Sequence, residues 1–139
     1  MRYVFSVLAV LMLLAAAMQY NDPDGPLWMA YYGVPAIWCG MAAFRPKWVA
    51  SSSGRAFLGV SVVAALGLTI WYWPPVSGFW HEPVWRMGMT NPEAARIAEQ
   101  AREGMGMMIA AAVLLVVAGW AFLGHGGISK RSERRGMPA

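Results

Sequence analysis

Four stretches of this chain are apolar almost without interruption, at positions 3–20, 27–44, 56–73 and 104–123, and the charged residues are confined to what lies outside them. Each is long enough to form about 27 to 30 Å of α-helix, the thickness of a bilayer's hydrocarbon layer. The pattern predicts an all-α fold: an integral membrane four-helix bundle over residues 1–124, followed by a basic tail over 125–139.

The polar segments between the stretches differ in character. The first is Asn21-Asp22-Pro23-Asp24-Gly25-Pro26, where two prolines deny the backbone a continuous helix and three Asx side chains are of the kind that fold back onto nearby N–H groups. It reads as a tight hairpin, and with Gly25 as cap and Pro26 as first helical residue, Asp24 would face the positive end of the next helix. Trp28, Tyr31 and Tyr32 follow as an interfacial aromatic belt. The second segment, 45–55, is basic and Ser-rich and reads as a loop. The third, Pro74 to Asn91, mixes Phe79, Trp80, Val84 and Trp85 with His81, Glu82 and Arg86, and reads as an aromatic flap lying along the interface between helices 3 and 4. A helix then starts at Thr90 or Asn91, by capping box or with Pro92 at its first position, and runs into the last span.

Composition agrees with the pattern: 58% of the 139 residues are hydrophobic and 13% charged, too lopsided for a soluble domain of this length. Of the 11 basic residues, Arg2, Arg45, Lys47, Arg55, Lys130, Arg131, Arg134 and Arg135 fall on one side of the predicted membrane. Six of the 7 acids, all but Glu133, fall on the other. The positive-inside rule therefore predicts both termini in the cytoplasm (N-in/C-in) and a multi-pass protein of the cell (inner) membrane. The net charge of +4 suits an anionic inner leaflet better than nucleic acid. The first stretch carries some marks of a signal peptide, Arg2 ahead of it and Leu14-Ala15-Ala16-Ala17 within it. It nevertheless continues to Tyr20, as a retained span does.

Candidate chemistry collects on the acidic side. Asn21, Asp22 and Asp24 on the hairpin, Trp28 and Tyr32 just inside it, and Glu99, Arg102 and Glu103 at the head of the last span form the candidate ligand-binding set. Glu103 is the last charge before a long apolar stretch, where an ionisable group is costly unless it is paired. The bland alternative is a capped turn plus an ion-pair ladder in which Arg96 and Arg102 neutralise Glu93, Glu99 and Glu103 at helical spacings. Asp22, Asp24 and Glu103 are hard oxygen donors of the kind a divalent cation takes, which makes them the candidate metal ligands. The 11 methionines raise copper, but most are expected as core filler. His81 and His125 fall on opposite faces, which argues against bis-His haem. Cys39, the single cysteine, is expected as a small residue buried in the second span.

The run Gln19-Tyr20-Asn21-Asp22-Pro23-Asp24 with Trp28 and Tyr31-Tyr32-Gly33, together with Glu99-Gln100-Ala101-Arg102-Glu103-Gly104, resembles the two polar motifs of the transmembrane protein 220 family. The resemblance covers all four helices and implies a four-span fold with both motifs on one side; it implies no reaction. Three readings follow for function: a polar acidic site that binds a cation or small polar ligand, an accessory or structural subunit that meets a membrane protein partner or a second copy of itself, and a membrane-embedded enzyme acting on a lipid-like substrate. No nucleophile with a paired base supports the last.

Overall fold

The computed structural model describes residues 1–71, 73 and 90–124, and among them there is helix and no strand. The helices are α1 (Arg2–Met18), α2 (Gly25–Phe44), the single turn α3 (Pro46–Val49), α4 (Ser52–Trp71) and α5 (Pro92–Leu123). The expected flap at 74–91, with His81 and Glu82, lies almost entirely outside the described residues, as does the basic tail.

Helix ends follow local chemistry more closely than they follow hydropathy. α1 stops at Met18, short of the apolar run, and the N–H groups of Gln19 and Tyr20 close the end on Ala16 O and Ala17 O, both at 3.2 Å. α2 starts earlier than expected, with Asp24 rather than Gly25 as the cap. Gly25 is buried beneath the Gln19 carbonyl, where any β-carbon would collide with it, so the hairpin can be this tight only with glycine there. The basic segment holds α3, and Ser51 then joins α3 to α4: its hydroxyl donates to Trp48 O at 2.6 Å and accepts from Gly54 N–H at 3.1 Å. α4 thus begins ahead of the apolar stretch and takes Arg55 into its first turns. At α5 the Asn91 side chain accepts from the N–H groups of Glu93 (3.0 Å) and Ala94 (3.3 Å), with Pro92 in the first turn, as an N-cap should.

α1 lies along α2, α2 along α5, and α5 along α4. Small buried residues on α5, among them Ala101, Gly104, Gly106, Ala110, Ala111 and Ala121, let the neighbouring backbones approach closely. Phe5 meets Trp120 edge-on at 5.2 Å, the Arg2 guanidinium lies 5.1 Å from the Phe44 ring, and that of Arg55 lies 5.6 Å from the Phe122 ring. The starts of α1 and α4 therefore share one end with the finishes of α2 and α5, and the hairpin and the head of α5 lie toward the other. Cys39, Leu58, Leu114 and Val117 are fully buried.

The outward faces are as apolar as the inside: Val7, Leu11, Ile37, Val60, Val63, Ile70 and Ile109 are all exposed. Such a surface belongs in hydrocarbon. α2, α4 and α5 are each long and apolar enough to cross a membrane, and α1, at 17 residues, is apolar and slightly shorter. In α5 the apolar run begins after Glu103, so the charged first turns precede the segment that can lie in the hydrocarbon.

Candidate functional site

The hairpin positions its carboxylates through backbone bonds. Asp22 N–H donates to Gln19 O at 3.2 Å, Gly25 N–H donates to Asp22 O at 2.9 Å, and Asp24 O receives the N–H groups of Leu27 and Trp28 at 2.9 and 3.4 Å. The Asp24 side chain does not cap the helix. Its Oδ2 instead accepts the indole N–H of Trp28 at 2.7 Å, a short charge-assisted bond across one helical turn.

Behind that bond stands an aromatic wall. Trp28 lies 6.3 Å from Tyr31 and 6.4 Å from Tyr32, and the two tyrosine rings meet edge-on at 6.1 Å. Tyr32 is only 8% exposed, and its hydroxyl lies directly over Gly106 of α5, where a β-carbon would strike it. That hydroxyl makes no hydrogen bond among the described residues.

Glu103 lies one turn before Gly106 and is half-buried. Its carboxyl is pushed above the usual range, first by burial and then by the negative charges of Asp24, Glu99 and Asp22, against the lowering effect of Arg102. The hairpin acids and the α5 acids thus share one electrostatic neighbourhood. Within it, Asn21, Asp22, Asp24, Glu99 and Arg102 are exposed, Glu103 is partly sheltered, and Trp28 and Tyr32 are buried beneath.

One expectation changes here. No three His, Cys, Asp or Glu side chains among the described residues stand close enough together to hold a metal ion, so the ligand set Asp22, Asp24 and Glu103 is not assembled as a cage. Like charges resist gathering without a counter-charge, and Asp24 is already turned onto Trp28. In the expected ladder, Arg96 reaches along its helix to Gln100, Nη1 donating to Oε1 at 3.4 Å.

The structure adds a polar node in the apolar interior that the motifs did not reveal. The Tyr31 hydroxyl donates to Ala65 O at 3.4 Å and to Met107 O at 3.3 Å, while the Thr69 hydroxyl donates to Ala65 O at 2.8 Å and to Met107 O at 3.5 Å. Three helices are pinned at this point. The available signal was Thr69 itself, a hydroxyl deep in an apolar run, which needs a partner there. Below the node, a cavity of about 250 Å³ opens between α2, α4 and α5.

A family model described as "Transmembrane family 220, helix" matches residues 11–119. No curated protein and no solved structure matches the chain.

Proposed function

The chain belongs to transmembrane family 220, and on that premise we propose a four-span bundle of the cell (inner) membrane, with both termini cytoplasmic, whose acidic mouth binds a small cation bearing an ammonium group. The charge segregation along the sequence and the apolar outer face of α1, alike in kind to those of the three longer helices, support the four-span reading.

The observation that carries the binding reading is Glu103: a half-buried carboxyl in the field of three other acids, with one arginine opposing them. Such a site gains from a positive guest. A bare metal ion asks for a ready set of oxygen ligands, which the described residues do not form. An ammonium group spreads its charge and tolerates aromatic neighbours, and here Trp28, Tyr31 and Tyr32 wall the acids on the inner side. Cys39, sealed inside α2, offers no accessible nucleophile for the enzyme alternative.

Titration calorimetry of the full chain in nonionic maltoside micelles with tetramethylammonium chloride tests the reading. Saturable binding that weakens about tenfold or more in Asp24→Asn and Glu103→Gln is the expected result. Heats no different from dilution with a folded protein would end it, and calcium binding more tightly than the ammonium would restore the metal-ion reading.

A further inference from the structure

The end of the bundle away from the acidic mouth carries charge of one sign. Arg2, Arg45, Lys47 and Arg55 lie there, while every acid among the described residues belongs to the hairpin or to the first turns of α5. Arg2, Arg45 and Lys47 are exposed, but Arg55 is partly buried, one turn into α4, where the positive end of the helix dipole already disfavours a cation. Its guanidinium lies over the Phe122 ring of α5, 5.6 Å from the ring centre. Its Nε is the one buried side-chain nitrogen or oxygen among the described residues without a hydrogen-bond partner. A cation set against a dipole and partly stripped of water, with no counter-charge, costs stability. An anion at that point relieves both strains.

The surroundings of Arg55 say what kind of anion. One turn on along α4 stands Gly59, and one turn back along α5 from Phe122 stands Gly119; beside neither is there any atom within 4 Å of where a side chain would begin. Helical spacing puts Leu66 on the Arg55 face of α4 and Leu115 on the Phe122 face of α5, and both are exposed. The seam between α4 and α5 is therefore hollowed at two glycines beneath the guanidinium and continues as apolar surface for about 16 Å, from Arg55 to Leu66, within the helices that can lie in hydrocarbon. A free phosphate would use the arginine and leave the seam bare. A lipid uses both.

We infer that this seam holds one anionic glycerophospholipid, its phosphodiester on Arg55 and one acyl chain along Gly59, Leu66 and Leu115. With Nε turned inward, the two Nη groups form the outward edge of the guanidinium, and that edge matches a pair of phosphate oxygens through parallel N–H bonds. The headgroup must lack a cation of its own, because a choline would bring one into a region that already holds four and no described acid. The site lies at the opposite end from the acidic mouth and does not depend on what the mouth binds.

The test is native mass spectrometry of the full chain released from maltoside micelles doped with equal amounts of dioleoyl phosphatidylglycerol and dioleoyl phosphatidylcholine. Retention of one phosphatidylglycerol, about tenfold in preference to phosphatidylcholine, is expected. The preference should fall to near parity in Arg55→Met, which keeps an apolar stem over Phe122, while Gly59→Leu, which fills the seam and leaves the guanidinium, should reduce retention of the lipid. Lys47→Gln should change neither. Far-UV circular dichroism in maltoside alone shows that each variant is folded, and Gly59→Leu keeps the test decisive if Arg55→Met is not. Equal retention of the two lipids, or a preference that survives Arg55→Met, overturns the inference. So does retention unchanged in Gly59→Leu. An equal fall in Lys47→Gln overturns it in favour of a diffuse basic surface, and displacement by inorganic phosphate at the lipid's own concentration does so in favour of a free anion.

Discussion

The Asp24 carboxylate holds the Trp28 indole N–H at 2.7 Å, so the exposed charge at the cap of α2 is fastened to the helix's first buried ring. This bond joins the hairpin to the interior. Replacing Trp28 by Phe keeps an aromatic ring but removes the donor together with part of the buried indole, and is expected to destabilise the protein by roughly 1 to 3 kcal/mol. Asp24→Asn, which can still accept the bond, is expected to cost less. Thermal unfolding in maltoside, followed by far-UV circular dichroism, reads both together with the Asp24→Ala/Trp28→Phe cycle; strict additivity in that cycle would show that the bond contributes nothing.

Gly106 leaves no room for a side chain beneath the Tyr32 hydroxyl. Gly106→Ala should therefore destabilise by roughly 1 to 3 kcal/mol, the range for overpacking. Tyr32→Phe removes the atom in the way, so the double variant should recover part of that loss. A double-mutant cycle checks this, and strict additivity would show that the two residues do not meet.

Glu103 makes opposite predictions for folding and for binding. Its carboxyl is raised in the folded state by burial and by the charges of Asp24, Glu99 and Asp22. Folding thus favours the protonated form: this group's contribution to stability is complete below its unfolded pKa and is lost as pH rises through the higher folded one. Glu103→Gln should flatten this part of the stability profile, from the ordinary glutamate range upward, and leave the variant more stable than the parent once Glu103 is ionised in the folded protein. Cation binding runs the other way and strengthens as Glu103 loses its proton. Thermal midpoints and calorimetric affinities over the same pH series check the two signs, and parallel slopes would contradict the assignment.

Thr69→Val and Tyr31→Phe each remove one hydroxyl from the node at Ala65 O and Met107 O. Interhelical bonds of this kind average about 0.6 kcal/mol, so each loss should be small. Because both hydroxyls serve the same two carbonyls, the losses should not add: the double variant leaves Met107 O without either side-chain donor. Unfolding of the three variants in one detergent decides this.

Hydropathy located the segments that can lie in hydrocarbon, but α4 and α5 are longer than their apolar parts, while α1 stops short of its own. α4 takes in Ser52, Ser53 and Arg55, and α5 begins at Pro92, because polar side chains interrupt a membrane span without interrupting backbone hydrogen bonding. The α5 start was legible because Asn91-Pro92 carries its own capping chemistry. The α2 start was misplaced by one residue, since nothing local reveals that Gly25 must slide beneath the Gln19 carbonyl. The acids of the candidate site stood out because charge is scarce in this chain. The Tyr31–Thr69 node and the cavity did not, since both depend on three helices meeting side by side, and spacing within one helix does not encode that.

The length of α5 has a mechanical consequence. At 32 residues it extends about 48 Å, well beyond a hydrocarbon layer of about 30 Å, so at any ordinary tilt its charged first turns must emerge on the acidic side. That emergent part is continuous with the helix that carries Glu103, Gly106 and the cavity wall, and the whole acts as a lever with its short arm in water. A force applied near Glu93 would be delivered at Gly106, against the Tyr32 ring.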